Sequence, residues 1–563
     1  MNIGVPRQHR PRVAIFVAGV APMAIWPLSG APLAHPFEAA LWAALYAALF
    51  GFAPARFARL FAWVLLLALP LTLAWLGTIA VTGAGPSDIL RTAALSASPG
   101  EVLQSAKMAF GKPAFLITAL LCCVASVWAV QSSRAPLPSG TANGLFFFMA
   151  LLTLFAAQSN LAALRWATAG PESKNAVPWM AHVETGGQML GAAINLATIG
   201  RPIAEERMRN VLGAPRLFEA KAQLAVFVVG ESLRADALMD NGRGPWSQRL
   251  RERLAAGLGA RAPDACASSN ATFFAVPRLL TAVDPADAVR AETAPTILAL
   301  ARAAGARTAW LSNQEDWVVV ETGHDVMIKT AAGYMAASLD ETLVRALDDF
   351  VLLNPAGPRA VLLHLHGQHF DYDDRYPAGF LGPLPAGLSG DAAEEQHYQR
   401  AAEYGAKVLL DAADILDRQT EPAFLIFTSD HGENLASDGT GKKYHAGPVS
   451  GRFDTTVPVL LLWNRAFAQT GRLKRVAALL QPRPPGDLLA HRDVARAWLL
   501  LTGMPGELAP LSPALTLSGD RIVPCATLPP LRHPAQAGVQ NAENHTATRP
   551  RHNWQRRCRA QRL

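Results

Sequence analysis

The chain has 563 residues, 51% of them hydrophobic, and a formal net charge of +7. That length exceeds what one hydrophobic core organises, so two or more units are expected. The charge is no nucleic-acid signal once located: "RPRHNWQRRCRAQRL", from Arg549 to the end, supplies six arginines and no acid, and the remainder is close to neutral, which reads as a solvated, disordered tail over 526–563.

Taken in chain order, five apolar segments come first, near 12–31, 37–54, 57–82, 114–131 and 144–160. A bilayer core requires about 20 apolar residues per helix, and each segment has that length or nearly so. A cleaved leader would carry a single short apolar core, so the first segment, followed by four more, reads as a retained span. Arg7, Arg10 and Arg12 lie at or before the start of the first span, Arg56 and Arg59 lie in the second loop and Arg134 in the fourth, while the first loop, "GAPLAHP", has no Lys or Arg. Lys and Arg favour the cytoplasmic side. An odd number of spans with the N-terminus inside then places everything after residue 160 outside the cytoplasm, and residues 1–160 form an all-α transmembrane domain of five helices.

Residues 161–220 have a mixed amphipathic character, in "PESKNAVPWM" and "GGQMLGAAINLATIGRP", that suits a connector at the membrane surface. Over 221–525 the pattern changes. The runs "AQLAVFVV", "RTAWLS", "RAVLLHLH", "AFLIFTS" and "VPVLLLW" alternate with helical stretches at 293–305, 340–353 and 394–418. Continuous apolar strands separated by helices predict an α/β unit with a mostly parallel sheet covered on both faces. Among the five cysteines, Cys266 and Cys525 alone belong to this unit outside the tail; one disulfide is open to it, but no framework is.

In such sheets ligands gather beyond the carboxyl ends of the strands. The first run ends in Glu231 and Ser232, the second in Asn313, Gln314, Glu315 and Asp316, the third in His364, His366 and His369, and the fourth in Asp430 and His431. "VVGESLRAD" has two readings: Ser232 as a nucleophile on a strand-to-helix elbow, or Glu231 as a metal ligand. The elbow needs a second glycine where this chain has Arg234. Carboxylate and imidazole together, from Glu231, Asp430 and His431, suit zinc, and three protein ligands leave the open position a catalytic metal requires. "CASSNATFFAVPRLLTA" sets small polar residues before an apolar helical pattern. Thr272 stands at the junction, where free backbone N–H groups favour an anion; Ser268, Ser269 and Asn270 also fit as capping residues. One of His364 and His366, which alternate onto one strand face, fits a core histidine, whereas His369 and His445 fall in loops where a phosphate donor or proton shuttle would sit.

The order and spacing of "GESLRAD", "TFFAVP", "HGQHFDYDDRYP", "SDHGEN", His445 and "VPVLLLW" behind a five-span anchor resemble the bacterial phosphoethanolamine transferases, membrane enzymes of the alkaline phosphatase and sulfatase superfamily. The resemblance implies an alkaline-phosphatase-like catalytic domain in the periplasm, anchored in the inner membrane, and one Zn2+, a second being left open, held by Glu231, Asp430, His431 and Thr272. It further implies that Thr272 is the nucleophile, that phosphatidylethanolamine is the donor, and that a covalent phosphoethanolamine-threonine forms before an envelope glycolipid or glycan accepts the group. His369 and His445 would contact the phosphoryl group or a second metal, and Asn270 and Asn313 would line the substrate pocket. Two departures concern the acceptor: the family's additional disulfides are missing, Arg278 standing where a cysteine follows Pro277, and "NQEDWVV" lacks the lysine expected after Asn313. A glycerophosphate transferase and an inactive metal-binding scaffold are the alternative readings; a modified-cysteine sulfatase is not, since "ASSN" follows Cys266.

Overall fold

The computed structural model describes residues 9–24, 36–82, 106–134, 144–169, 220–221, 224–238, 244–314, 324–329, 339–440, 442–447, 449–484, 486–518 and 521–528. The connector beyond residue 169 and the tail from residue 529 lie outside them.

Each of the five apolar segments is helical over its described part, but they make six helices: Arg10–Ala24, Pro36–Phe52, Ala55–Leu67, Leu69–Thr82, Pro113–Ser133 and Gly144–Ala169. The third expected span is two helices that meet at Ala68. Pro70 explains the break, because it lacks the N–H that a continuous ladder needs and is tolerated only in a helix's first turn. Among the described helices, Pro113–Ser133 is the one long and apolar enough to cross a membrane, and the four before it run 13 to 17 residues. Five full-length spans are thus reduced to one among the described residues. That helix turns Ala119, Cys122, Ala125 and Ala129 inward and leaves Leu116, Ile117, Leu120, Leu121 and Val124 exposed. Small residues inside and large apolar ones outside invert the pattern of a water-soluble helix and suit lipid.

In the second unit the apolar runs become strands β1 (Leu224–Gly230), β2 (Gly259–Arg261), β3 (Ala265–Cys266), β4 (Arg307–Ser312), β5 (Val326–Lys329), β6 (Arg359–His364), β7 (Ala423–Ser429), β8 (Thr456–Val457), β9 (Val459–Trp463), β10 (Leu489–Ala490), β11 (Leu515–Ser518) and β12 (Arg521–Pro524). The main sheet has the order β2-β9-β7-β1-β6-β4-β5. Strands β7, β1, β6, β4 and β5 are parallel, whereas at one edge β9 runs antiparallel to β7 and β2 antiparallel to β9. The sheet is therefore mixed at that edge. A continuous apolar run such as "VPVLLLW" reports burial on both faces and carries no direction.

Alternation along β1 builds both faces. Leu224, Val226 and Val228 join the core beneath helices Glu341–Leu353 and Gly390–Asp417, while Ala225, Phe227 and Val229 join that beneath Thr272–Leu280, Ile297–Ala303 and His491–Thr502. Phe227 meets Trp498 edge-on at 6.2 Å; burying an aromatic of this kind stabilises the fold by about 1.5–3 kcal/mol. Helix Thr272–Leu280 is anchored through Val276, Leu279 and Leu280 in the same core. A small sheet, β10-β3-β8, stands beside the main one. Strand β3 feeds the loop that carries Thr272, and Cys266 on it is disulfide-bonded to Cys525, which answers the pairing left open by the sequence.

Candidate active site

The parallel neighbours β1 and β7 end in register, with Gly230 opposite Ser429. Glu231 and Asp430 therefore leave the sheet side by side, and the Asp430 N–H donates to the Gly230 carbonyl at 3.0 Å. Both chains turn at once. Ser232 adopts φ +56° and its N–H donates to Asp430 Oδ1 at 3.2 Å. After Asp430, His431 N–H donates back to Oδ1 at 2.7 Å. A third strand, β6, delivers Gly367 against Glu231: its φ is +51°, and a Cβ there would stand 2.8 Å from the Glu231 backbone N and O, so only glycine fits.

Helix Thr272–Leu280 opens at the same place. Its first residue points Oγ1 at Glu231 Oε2 (3.0 Å) and at His431 Nε2 (3.1 Å). No side chain caps this helix; its N-cap is Ala271, so the capping role open to Ser268, Ser269 and Asn270 is not taken. His431 Nδ1 faces the Gly432 carbonyl at 2.8 Å. A carbonyl only accepts, so Nδ1 holds the ring proton and Nε2 presents a lone pair. Nε2 also lies 3.3 Å from Glu231 Oε1 and 3.4 Å from Asp430 Oδ2, and Asp430 Oδ2 is buried without a hydrogen-bond donor.

Four residues thus aim lone pairs at one point with a single hydroxyl proton among them. Acceptors at these separations repel unless a cation lies between them. Tetrahedral ligands about 2.0–2.1 Å from zinc stand about 3.3 Å apart, which is the spacing found here. The donor set of two carboxylates, an imidazole with the correct nitrogen bare, and a hydroxyl fits zinc. Glu231, His431 and His445 also form a group whose ligand atoms all lie within 4.8 Å of one another.

The electrostatics agree. Burial, then the charge of Asp430, holds the Glu231 carboxyl well above its ordinary range. Burial also pushes Asp430 upward, but His431 and the Thr272 hydroxyl outweigh it and leave that carboxyl lowered. Burial keeps His431 neutral by lowering its pKa. The site withholds full negative charge from its own protein and is suited to a cation supplied from outside.

Ser232, the alternative nucleophile, is turned to the acids: its hydroxyl donates to Glu231 Oε1 at 2.8 Å and lies 3.4 Å from His445 Nδ1. His445 joins the site from its loop, 4.2 Å from the His431 ring, with Nδ1 3.3 Å from Glu433 Oε2. Burial lowers its pKa to about 4. His369 lies beside it, ring centroids 5.8 Å apart, with Nδ1 buried and unpartnered. His364 is fully buried at the end of β6, as a core histidine, and His366 lies past the strand against Arg375. Asn313 reaches the strand ends but gives its amide to Asp340 at 2.9 Å, and Asp340 accepts from His366 and Gly367 N–H. Its neighbour Gln314 touches the centre instead, donating to Glu231 Oε2 at 3.2 Å. The amide of Asn270 is held by Asp454 at 3.1 Å.

Three supporting residues join the site beyond those the sequence predicts. Glu433 was visible in "SDHGEN", two positions after His431. Asp454, in "GRFDTTVP", and His491, in "LAHRDVARAWLLL", carry no signal of the site, since the bonds that tie them to the Thr272 arm span sequence distances of 184 and 223.

The family model described as Sulfatase matches residues 223–504. Phosphoethanolamine transferase CptA of Salmonella typhimurium is 30% identical over 188 residues, 31% of this chain and 32% of that protein. Phosphoethanolamine transferase EptC of Escherichia coli is 26% identical over 159 residues, 25% of this chain and 27% of that protein. The matched regions thus span about a third or less of these relatives' lengths. The solved structure of the integral membrane protein lipooligosaccharide phosphoethanolamine transferase A from Neisseria meningitidis superposes with a TM-score of 0.65 over 88% of this chain and 95% of that one, at 16% identity, which shows a shared fold.

Proposed function

The chain belongs to the sulfatase family of the alkaline phosphatase superfamily, and from that premise we propose that it transfers phosphoethanolamine from phosphatidylethanolamine to an envelope glycolipid or glycan, with Thr272 as the nucleophile. The observation that carries this reading is the Thr272 hydroxyl at a helix N-terminus, 3.0 Å from Glu231 and 3.1 Å from His431. The names of the matched relatives support the group transferred, and the lipooligosaccharide in one of them supports a glycolipid acceptor. Helix Pro113–Ser133, with its exposed apolar face, supports one span, and the fold shared with an integral membrane protein supports a chain anchored in the inner membrane by several, with the catalytic unit in the periplasm.

Zinc held by Glu231, Asp430, His431 and Thr272 would lower the pKa of the hydroxyl and offset charge on the phosphoryl oxygens. Thr272 Oγ1 gives up its proton to solvent and bonds to phosphorus. The bond from phosphorus to the glycerol oxygen breaks, and diacylglycerol leaves with a proton. The backbone N–H groups at the start of helix Thr272–Leu280 favour the anionic phosphodiester. An acceptor hydroxyl then attacks the same phosphorus and frees Thr272. Burial keeps His445 neutral above about pH 4, and with Nδ1 turned to Glu433 its other nitrogen serves the phosphoryl group or the acceptor's proton. His369 stands beside it for the same purpose, and Asn270 and Asn313 shape the pocket rather than coordinate. One zinc would engage the four converging residues, and a second is left open.

Mass spectrometry of envelope glycolipids from cells with and without the protein tests the proposal. An added phosphoethanolamine is expected with the wild type and with Ser232→Ala, and none with Thr272→Ala. Full transfer by Thr272→Ala together with its loss in Ser232→Ala would overturn the assignment.

A further inference from the structure

We propose that Asp454 is a positioning residue that fixes the spacing between Thr272 and His445; the inference rests on the transfer reading above. Asp454 is 1% exposed and accepts at both oxygens. Oδ1 takes the Gly451 N–H at 2.6 Å, and Oδ2 takes the side-chain amides of Asn270 at 3.1 Å and Asn434 at 3.2 Å. These two asparagines belong to different arms of the site. Asn270 lies two residues before Thr272, and Asn434 lies three after His431.

Both asparagines then reach the same third arm. The Asn270 carbonyl accepts the Ala446 N–H at 2.8 Å, and its amide donates to the Gly447 carbonyl at 3.3 Å. Asn434 exchanges both backbone bonds with Tyr444, at 3.2 and 2.7 Å, and its amide donates to the Tyr444 carbonyl at 2.7 Å. His445 is thus held from each side by residues that share one carboxylate oxygen. The backbone there needs holding: Tyr444 has φ +63° and Ala446 φ +58°, left-handed values that side-chain-bearing residues keep only where surrounding bonds over-determine them. Without Asp454 the two amides lose their common anchor, and the loop has a cheaper conformation to relax into. The Asp454 backbone belongs to the same frame, because its carbonyl accepts the Gly432 N–H at 3.1 Å.

The test uses the full chain in detergent with a fluorescent phosphatidylethanolamine, and rates are expressed per folded, zinc-loaded protein. Asp454→Ala is expected to lower kcat about 10²-fold, the size of effect a displaced reacting group produces, with the KM for donor changed less than about threefold. Asn270→Ala is expected to lower kcat as well, and the double variant no further than the worse single one, because both act through one bond. Asp454→Asn keeps the volume but must set an N–H against a donor, and is expected to lie between wild type and Asp454→Ala. Hydrogen exchange gives a readout independent of transfer: the Ala446 amide should exchange at least about tenfold faster in Asp454→Ala and in Asp454→Asn, while β1 and β7 keep their protection. Unchanged exchange at Ala446, or additive losses in the double variant, overturns the positioning role. A wild type that transfers nothing overturns the transfer reading instead, and the exchange result still decides the role of Asp454.

Discussion

Replacing His491 by alanine tests how the site is held together, and its cost can be worked from two bonds. The His491 ring spans the two arms that carry the nucleophile and the acid–histidine pair: Nδ1 accepts the Ser268 N–H at 3.3 Å, and Nε2–H donates to the Ser429 carbonyl at 3.0 Å. Both backbone partners are buried, so His491→Ala leaves the Ser268 N–H unsatisfied and the Ser429 carbonyl with only a long bond from Thr428 Oγ1 at 3.4 Å, at about 1–3 kcal/mol each. With part of the cavity closing, a loss of about 3–5 kcal/mol at pH 7.5 is expected. The ring's ionisation adds a second signature. Burial lowers the His491 pKa from 6.5 to about 4, so between those values the unfolded chain binds more protons and stability falls as pH falls. From pH 7.5 to pH 5 the share of this histidine is about 2 kcal/mol, and the alanine variant no longer carries it. The difference between wild type and variant should therefore shrink by about 2 kcal/mol at pH 5. Urea titration in detergent, read by tryptophan fluorescence with chelator present so that metal loss does not enter, measures both quantities. A destabilisation below about 1 kcal/mol at pH 7.5, or one equal at the two pH values, would refute the reasoning.

Gly432→Ala should be costly for a reason of geometry, since the added Cβ would stand 2.2 Å from the Phe453 carbonyl oxygen, which also accepts the Glu433 N–H; a loss of about 3 kcal/mol or more is expected in thermal unfolding, and a wild-type melting curve would contradict it. Glu231→Ala should lose zinc and transfer together, read by metal analysis of the purified protein beside the transfer rate, and full metal content in an inactive variant would remove Glu231 from the ligand set. Ser232→Ala gives up one bond to Glu231 and should cost about tenfold or less in kcat, against a loss of about 10³-fold or more for Thr272→Ala; the reverse order would favour the serine.

What was legible along the chain follows from where each signal resides. Glu231 and the Asp430–His431 pair stand directly after apolar runs, so strand ends could be found by pattern alone, and the parallel register of β1 and β7 then brings them together. Thr272 showed itself as the junction of a polar run with an apolar helical one. Direction along the sheet edge was not legible, because β9 is as apolar as the parallel strands of the same sheet. The third span's break was written in "LALPLTLAWL", where total apolarity masks the effect of Pro70. Gln314 rather than Asn313 reaching Glu231 depends on the turn after β4, a matter of backbone direction that residue type does not encode. Asp454 and His491 were hidden for a more general reason: a buried polar residue is recognised by its partners, and those that link these two to the Thr272 arm are remote in sequence.

The central claim, that Thr272 is the covalent nucleophile, is tested most directly by peptide mass spectrometry of the full chain quenched after exposure to phosphatidylethanolamine without acceptor. A phosphoethanolamine adduct confined to Thr272, and absent from Thr272→Ala, is the predicted result. Turnover of donor with the Thr272 peptide unmodified, or the adduct found on Ser232, would contradict it.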